Sequence, residues 1–464
     1  MDTVDVLVVG AGPTGCMLAG EVALAGRSVV VLDKHEAPSP LSRAFGVHAR
    51  TMEALDTRGL ADELRSTGTA SPGLALWRGA EVNLTRLPSP FPFLLVTPQV
   101  NVDTLLEKRA RNHGADVVRG ATVTKLWQHE DGVVVRATTA SGEREWKASY
   151  VVGADGVRST VRDLVGQPFP GEVLLKSIVL ADAYLGDPPA SIVTVDAAED
   201  CFAFLAPFGD GWFRVIVWDR RFEDDLAFQP SESMVRDVLT RAMGTDFGLR
   251  EIRWLSRFQS DERQVESYRT GRVFLAGDAA HVHSPAGGQG MNTGIQDALN
   301  LGWKLAAVLR GADPAVLDTY QSERHPVGKL VLRSSGATIR LMTAKSRAAR
   351  AFRRVVLPFL LGREKVARKA AGMFSGIGIS YGRGLVGSRA ADVPLRDGRL
   401  FEALRGGGFV LVLENDAASV TAPIPTAHRL DGGPALLVRP DGYLAWAGSS
   451  ASGDWRTALD RWTK

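Results

Sequence analysis

Three glycines near the N-terminus stand at the spacing of a phosphate-binding turn. Gly10, Gly12 and Gly15 follow the apolar run 6–9, and an amphipathic segment follows them. In such a strand–turn–helix unit the first glycine permits the turn, the second lets a pyrophosphate approach the backbone, and the third lets helix and strand pack closely. The N-terminus of the helix adds free N–H groups and the positive end of its dipole. The pattern predicts a dinucleotide site.

A carboxylate follows at the distance expected for ribose binding. Asp33 ends the apolar run 28–32, about 20 residues after the glycines, where an acidic residue accepts a hydrogen bond from a ribose hydroxyl. Glycine turns of this kind also occur as purely structural elements of βαβ units, and Asp33 with the correct flanking elements disfavours that alternative. These residues alone do not distinguish FAD from NAD(P).

Two later loops have related chemistry. In residues 150–160 a strand ends at Asp155 between Gly153 and Gly156, and Ser159 is placed to cap a short helix. This predicts a second point at which a loop and a helix N-terminus can contact phosphate or ribose.

Residues 272–292 form the third signal. A short strand ends at Asp278, a glycine-rich loop follows, and a helix with apolar residues at helical spacing begins at Asn292. Asp278 is placed to accept hydrogen bonds from a polyol such as a ribityl chain, and the loop N–H groups can face a flat, carbonyl-bearing ring. The helix dipole would stabilise negative charge on that ring. His281 and His283 have the spacing of metal ligands, but no acidic or cysteine partner accompanies them, and we predict no metal site.

Composition is that of a soluble protein with several domains. The 464 residues exceed what one compact core accommodates, and the net charge of +3 does not indicate a nucleic-acid partner. The two cysteines, Cys16 and Cys201, have no metal-binding spacing, which fits a reducing cytoplasm. The N-terminal apolar run is typical of a strand rather than a signal peptide, and no run of about 18 apolar residues predicts a membrane-spanning helix.

The chain order predicts an α/β protein with three structural units. These are a Rossmann-like cofactor domain with an inserted β-meander (1–175 and, with long helices, 271–375), an antiparallel, aromatic-rich sheet for substrate (176–270), and a small α/β domain (376–464). Residues 66–98 are expected to form an irregular excursion over a cleft, with Trp77, Phe91 and Phe93 exposed. The basic stretch 333–369 is expected to be a solvated face, with binding to nucleic acid or anionic membranes as the alternatives.

The three motifs, taken together and in this order, resemble those of the class A, single-component flavoprotein aromatic hydroxylases of the p-hydroxybenzoate hydroxylase type. The resemblance covers about residues 1–375. The remainder resembles the thioredoxin-like extra domain of phenol hydroxylase and of the subgroup that contains aromatic polyketide hydroxylases and rifampicin monooxygenases. That domain has no cysteine here, so a redox role for it is not expected.

The resemblance implies a set of FAD-binding residues. Gly10, Gly12, Thr14 and Gly15 would hold the pyrophosphate. The resemblance further assigns the adenosine ribose to Asp33, with Lys34 nearby, and an adenine contact to the Val123 backbone. Arg43 and Gln99 would contact the phosphate or ribityl region, and Asp155 would take part in both FAD and NADPH binding.

The third motif would bind the other end of the cofactor. Asp278 would bind the ribityl chain or pyrophosphate, and the isoalloxazine edge would lie at the loop that contains Pro285, Gly288, Gly290, Met291 and Asn292.

The resemblance also implies a reaction. NADPH would reduce FAD, O₂ would form a C4a-hydroperoxyflavin, and its distal oxygen would pass to an electron-rich aromatic ring. This chemistry belongs to the flavin and needs a dry pocket rather than a protein nucleophile, so no catalytic residue is predicted. The aromatic sheet and the subgroup favour a bulky, polyketide-like aromatic substrate.

Three alternatives remain open at this stage. The first is Baeyer–Villiger or antibiotic-inactivating oxygenation on the same scaffold, and the second is a non-oxygenating FAD reductase. The third is a binding module whose basic helix contacts nucleic acid. The expected partners are the aromatic substrate and O₂, with no nucleic acid and no membrane, and the chain is expected to be a monomer or homodimer.

Overall fold

The computed structural model describes residues 1–39, 44–77, 79–225 and 227–464. Its first part alternates strands and helices. The strands are β1 (Asp2–Val9), β2 (Val29–Asp33), β3 (Gly46–Val47), β4 (Thr69–Ser71), β5 (Gly73–Trp77), β6 (Ala80–Asn83), β7 (Leu94–Val96), β8 (Asp116–Arg119), β9 (Thr122–His129), β10 (Gly132–Thr139) and β11 (Gly142–Gly153). The helices are α1 (Pro13–Leu24), α2 (Ala49–Asp56), α3 (Ala61–Arg65), α4 (Gln99–Asn112) and α5 (Thr160–Leu164).

The rest of the chain contains a strand-rich part, a helical part and a small α/β part. The strand-rich part comprises β12 (Gly171–Leu185), β13 (Thr194–Ala197), β14 (Cys201–Pro207), β15 (Trp212–Asp219), α6 (Glu232–Met243) and β16 (Leu249–Gln264). The helical part comprises β17 (Arg269–Thr270), β18 (Val273–Leu275), β19 (His281–Val282), α7 (Gly290–Leu309), α8 (Asp318–Met342), α9 (Arg347–Ala351), α10 (Leu357–Leu361) and α11 (Glu364–Ser375). The small part comprises α12 (Leu400–Ala403), β20 (Val410–Leu413), β21 (Thr426–His428), β22 (Ala435–Val438), β23 (Leu444–Gly448) and α13 (Trp455–Thr463).

A mainly parallel sheet forms the centre of the first unit. β1 lies between β2 and β11 and is parallel to both, and β8 and β18 extend the parallel pairing on the two sides. The inner strands are continuous apolar runs because helices cover them, as is typical of parallel sheets. β9, β10 and β11 pair antiparallel in sequence, which confirms the predicted β-meander.

The second sheet is antiparallel, as predicted. Its strand order is β13-β14-β15-β12-β16-β19. The alternation of side chains along its strands gives it two apolar faces. One face, with Val215 and Val217, packs on α6. The other contributes Ile178, Phe202 and Trp218 to a buried group that also contains Trp77, Ile339 and Phe374, here called the cleft cluster.

Residues 66–98 are more ordered than the sequence indicates. They form the hairpin β5–β6 and two strands of the small sheet β3-β7-β4. Trp77 and Phe91 are 5% and 6% exposed, so the expectation that these aromatic side chains face solvent is wrong. Long-range packing explains the difference, because the hairpin folds back onto the cleft cluster and buries apolar surface that local sequence patterns do not reveal.

The C-terminal unit has the predicted α/β character. Its four-stranded sheet has the order β21-β20-β22-β23, in which β22 and β23 form an antiparallel hairpin. Trp455 and Trp462 of α13 pack with Trp303 of α7. Buried ion pairs reinforce this contact, since Arg439 of the hairpin turn donates to Glu323 of α8 at 2.6 Å.

Candidate cofactor site

The glycine turn after β1 is closely packed at Gly10 and Gly15 and open to solvent at Gly12. Gly10 has a φ of +105°, and a Cβ there would lie 2.9 Å from Cα of Asp155. A Cβ on Gly15 would overlap the carbonyl oxygen of Gly10, so the third glycine is required for helix α1 to approach the turn. A Cβ on Gly12 would meet no protein atom within 4 Å, and Gly12 begins α1 without a side-chain cap. The open side of Gly12 therefore offers helix N–H groups to an anion.

Asp33 lies directly beside this turn. Its Oδ2 accepts a hydrogen bond from the Ala11 N–H at 2.7 Å and its Oδ1 accepts from the His35 N–H at 2.8 Å. Lys34 is exposed, and Val123 is buried at the start of β9, two residues after Ala121, whose N–H donates to the Asp33 carbonyl at 2.9 Å. The residues predicted for the adenosine side thus lie at one edge of the sheet.

Asp155 supports the turn from behind. Ser159 Oγ donates to its Oδ1 at 2.5 Å, and the Val161 N–H donates to its Oδ2 at 3.2 Å. Burial raises the pKa of this carboxyl group, and these hydrogen bonds oppose the rise. Ser159 Oγ also accepts from the Arg162 N–H at 3.0 Å, as the predicted helix cap requires. The carboxylate is therefore engaged in holding the β11–α5 loop against Gly10.

The third motif, residues 272–292, and the helix that follows it contact the first motif at Thr14. A Cβ on Gly277 would lie 2.7 Å from Thr14 Oγ1, and a Cβ on Gly294 of α7 would overlap the same oxygen. Small residues at both points let the N-terminus of α1 pack against α7 and the turn Gly277–Ala279. Asp278 in this turn is exposed.

A buried carboxylate that the sequence analysis did not identify holds this turn in place. Asp297 of α7 accepts hydrogen bonds from the Gly277 N–H at 3.2 Å, from His281 Nε2 at 2.7 Å and from Arg324 Nε at 2.6 Å. Burial alone would raise the pKa of Asp297, but the Arg324 guanidinium and His281 lower it below its ordinary value. A charged residue within the apolar run of α7 is the sequence signal that could have identified it.

Asn292 connects the glycine-rich loop to the strand β3 region. Its Nδ2 donates to the carbonyl oxygens of Gly46 at 2.9 Å and Gly288 at 2.8 Å, and its Oδ1 accepts from the His48 N–H at 2.9 Å. Within the loop, the Gly288 N–H donates to the Pro285 carbonyl at 3.0 Å. The predicted edge residues are therefore held as one rigid loop, with Gly290 and Met291 opening α7.

His48 also hydrogen-bonds to this loop, and the sequence analysis did not identify it. Its Nε2 lies 2.7 Å from the Gly287 carbonyl oxygen, which can only accept, so Nε2 carries the proton. Burial lowers the pKa of His48 to about 4, and the imidazole is neutral near pH 7. Burial likewise lowers the pKa of His283 to about 4, and its Nδ1 lies 2.7 Å from the Ser284 carbonyl oxygen. Both histidines act as neutral donors to loop carbonyls.

Gln99, the first residue of α4, is hydrogen-bonded to Ala44. Its side-chain Oε1 accepts from the Ala44 N–H at 3.1 Å, and its backbone N–H donates to the Ala44 carbonyl at 3.0 Å. Arg43 itself lies outside the described residues, so its predicted contact stays a prediction.

An apolar wall adjoins the glycine-rich loop. Ala286 packs on the cleft cluster, and a Cβ on Gly287 would lie 3.1 Å from the ring of Phe374. Beside it, the rings of Phe45 and Phe208 meet edge to face at 4.8 Å, and buried Arg214 lies over the Phe45 ring at 5.1 Å. Such a wall can exclude water from the space next to the loop.

Within residues 1–39, 44–77, 79–225 and 227–464, no group of three or more His, Cys, Asp or Glu side chains is arranged to hold a metal ion. Among the same residues, no helix has the length and apolar character needed to cross a membrane.

Comparison with known proteins identifies the family. Residues 3–335 match the family model described as the FAD binding domain, and residues 383–464 match that of the aromatic-ring hydroxylase C-terminal domain. Rifampicin monooxygenase from Streptomyces venezuelae is 41% identical over 461 residues, which cover 96% of this chain and 95% of that protein. The 12-dehydrotetracycline 5-monooxygenase/anhydrotetracycline 6-monooxygenase from Streptomyces rimosus is 39% identical, with 97% and 96% covered. The solved structure of an anhydrotetracycline hydroxylase from Streptomyces rimosus superimposes with a TM-score of 0.88, 37% identity and 99% of each chain covered.

The chain therefore belongs to the family of FAD-binding aromatic-ring hydroxylases. It is an FAD-dependent monooxygenase, which confirms the family and the cofactor implied by the three motifs. The residues present fit the cofactor, because the protein leaves the space in front of Gly12 open at the uncapped start of α1, where a Cβ would meet no atom within 4 Å.

Proposed function

We propose that this monooxygenase uses NADPH and O₂ to oxygenate a bulky, polycyclic aromatic compound of the polyketide or antibiotic type. The observation that carries the proposal is the meeting of three distant segments at one turn, with Gly10 against Asp155 and Thr14 packed between Gly277 and Gly294. The compounds in the names of the relatives, which are rifampicin, 12-dehydrotetracycline and anhydrotetracycline, support the substrate class.

The residues of the cleft divide the work of holding FAD. The N-terminus of α1 at Gly12 would bind the pyrophosphate, Asp33 the adenosine ribose, and Asp278 the ribityl chain. The loop 285–292 would face the isoalloxazine edge. FAD held by these residues would supply the redox chemistry, namely acceptance of a hydride and activation of O₂.

The protein's own contribution is positioning and exclusion of water. His48 and Asn292 donate hydrogen bonds to the carbonyl oxygens of Gly287 and Gly288, which fixes these acceptors and would let loop N–H groups face a ring carbonyl. The N-terminus of α7 beside this loop would favour negative charge on a reduced ring. The cleft cluster, with Phe374 against Gly287, supplies the apolar wall for a flat substrate.

The test uses the purified full-length chain with a panel of fused-ring phenols, tetracyclines and ansamycins. We expect a bound flavin that is identified as FAD after release, NADPH oxidation that is accelerated by a substrate, and a product one oxygen atom heavier. Use of ¹⁸O₂ must label that product. A chain that neither contains nor takes up FAD contradicts the assignment of the site.

The same assays separate the alternatives. NADPH oxidation that reduces an added acceptor without O₂ uptake would indicate the reductase. A labelled product whose NMR spectrum shows a lactone rather than a new phenol would indicate Baeyer–Villiger insertion.

A further inference from the structure

The positive charge of this protein is concentrated in one surface segment. Residues 345–369, here called the basic segment, contain nine Lys or Arg residues and one Glu, which gives this segment a net charge of +8. The whole chain carries +3, so all other residues together carry −5. A charge asymmetry of this size indicates which partners the segment can bind, and it carries no information about the fold.

Large apolar side chains are exposed within the same segment. Val355 and Phe359 are 68% and 64% exposed, and Phe352 and Val356 are each 41% exposed. They lie on the π-helical turn Phe352–Val356 and on α10. Four large apolar side chains exposed within eight residues form a patch rather than the scattered exposure that is normal on protein surfaces.

The inner face of the basic segment anchors it to the protein. Arg353 is buried and donates to the carbonyl oxygens of Met342 at 2.6 Å and Ala197 at 3.2 Å. Trp77 Nε1 donates to the carbonyl of Arg353 at 3.2 Å. Arg350 pairs with Glu199 at 3.1 Å. The outward direction of Val355 and Phe359 is therefore set by packing on the opposite side of the helix.

The outer cations do not have carboxylate partners that would neutralise them. In the described part of the chain, no carboxylate lies within salt-bridge distance of exposed Arg354, Lys365 or Lys369. Arg363 instead stacks on the ring of Phe359 at 5.0 Å. The cations thus lie beside the apolar patch along the chain and remain available to an anionic partner.

The basic segment also lies next to the candidate site. Its C-terminal helix α11 contributes Ala371 and Phe374 to the cleft cluster, and Gln289 of the glycine-rich loop donates to the Met373 carbonyl at 3.3 Å. One helix therefore separates the exposed patch from the cleft.

We propose that the basic segment docks on an anionic lipid surface, with Val355 and Phe359 inserted among the acyl chains and the neighbouring cations paired with headgroups. Basic residues around exposed apolar side chains are the physical signature of interfacial binding. A nucleic acid would use the cations, but its phosphate backbone gains little from Val355 and Phe359. In contrast to the solvated face expected from the sequence, docking would let an apolar substrate dissolved in the lipid enter beneath α11, and this last consequence rests on the proposed function.

The test is flotation of the full-length protein with vesicles of phosphatidylcholine alone or with phosphatidylglycerol. We expect binding only to the anionic vesicles and weakening by salt. Each cation at an anionic surface contributes about fivefold to the affinity, so K365Q/K369Q should weaken binding about 30-fold. The matched control K125Q/K329Q removes two exposed lysines elsewhere on the surface and should change binding by less than about twofold.

A second pair of variants tests insertion. V355S/F359S should abolish flotation, whereas L385S/L430S, at positions 60% and 54% exposed, should not. Circular dichroism and thermal unfolding verify that all variants fold. Because flotation needs neither FAD nor substrate, its failure is distinguishable from failure of the proposed function.

Three results would overturn the proposal. The first is equal binding to both kinds of vesicle, and the second is retention by RNA without binding to vesicles. The third is a dimer that V355S/F359S dissociates while vesicles bind nothing, which would make the patch an interface between two copies.

Discussion

Replacement of Asp297 by Asn is the most direct test of how the cleft is held together. The Asp297 carboxylate and the Arg324 guanidinium are each 0% exposed in their side chains and lie 2.6 Å apart. Asn keeps the size of the side chain but removes its charge. Arg324 would then keep its hydrogen bond to the Thr293 carbonyl at 3.1 Å but lose its counter-ion.

The expected loss of stability follows from leaving one buried charge without its partner. Breaking a buried pair in this way costs about 3–5 kcal/mol. For a protein of this size, with an unfolding entropy that scales with chain length, this corresponds to a fall in Tm of about 3–5 °C. Because the Gly277 N–H also loses a charged acceptor, the turn that contains Asp278 should hold FAD less tightly.

The measurement is thermal unfolding of apo and FAD-loaded protein, with an exposed pair as control. Asp318 is 70% exposed and lies 2.6 Å from Arg269, and loss of such a pair costs at most about 1 kcal/mol. The double variant D297N/R324M removes both charges and should recover part of the loss. Equal Tm values for D297N and D318N would refute the reasoning.

The pH dependence gives an independent check. The folded-state pKa of Asp297 is lowered by Arg324 and His281 although burial opposes this, so ionisation of this carboxyl favours the folded state. Its contribution is complete above the unfolded value of about 4 and is lost as the pH falls through the lower folded-state pKa. The difference between wild type and D297N should therefore shrink below about pH 4.

Four further predictions concern the loops around the candidate site. G15A should destabilise the protein by about 1–3 kcal/mol, because its Cβ overlaps the Gly10 carbonyl oxygen. G12A should leave unfolding of the apo protein unchanged and weaken FAD binding about 10-fold or more. Equal FAD affinity in both glycine variants would contradict binding of the pyrophosphate at the open side of Gly12. N292A loses three hydrogen bonds of about 1 kcal/mol each, so denaturant titration should show a free energy of unfolding that is lower by about 3 kcal/mol. An unchanged midpoint of unfolding would show that these hydrogen bonds do not stabilise the loop. The pKa of His48 is about 4 folded against 6.5 unfolded, so protonation favours unfolding, and wild type should lose about 2 kcal/mol more than H48Q between pH 7 and pH 5 in denaturant titrations.

Much of the fold could be predicted because its signals are local. The run before Gly10, the turn itself and Asp33 lie within a single strand–helix–strand unit, and strand length and helix capping depend on neighbouring residues. The same holds for the cap at Ser159 and for the C-terminal hairpin. These elements form where the sequence places them.

Residues 66–98 and the histidines show where local reasoning ends. Pro-rich composition indicated an open excursion, but burial of Trp77 depends on residues about 100 to 300 positions away, in the sheet and in α11. His48 resembles any histidine before a helix, and its partner Gly287 is 239 residues further along. No periodicity within a window of sequence contains such a contact.

By itself, the sequence determined the chemistry that the cleft can perform, because glycine spacing, Asp33 and the 278–292 motif are properties of residue type and order. Only the tertiary structure decided how that chemistry is held, through Thr14 between two glycines, the buried Asp297–Arg324 pair and the hydrogen bonds of Asn292. It also decided which face of the basic segment points to solvent. The physical reason is that burial, ion pairing and close packing depend on distances between segments that lie from tens to hundreds of residues apart in the sequence, and these distances exist only once the chain has folded.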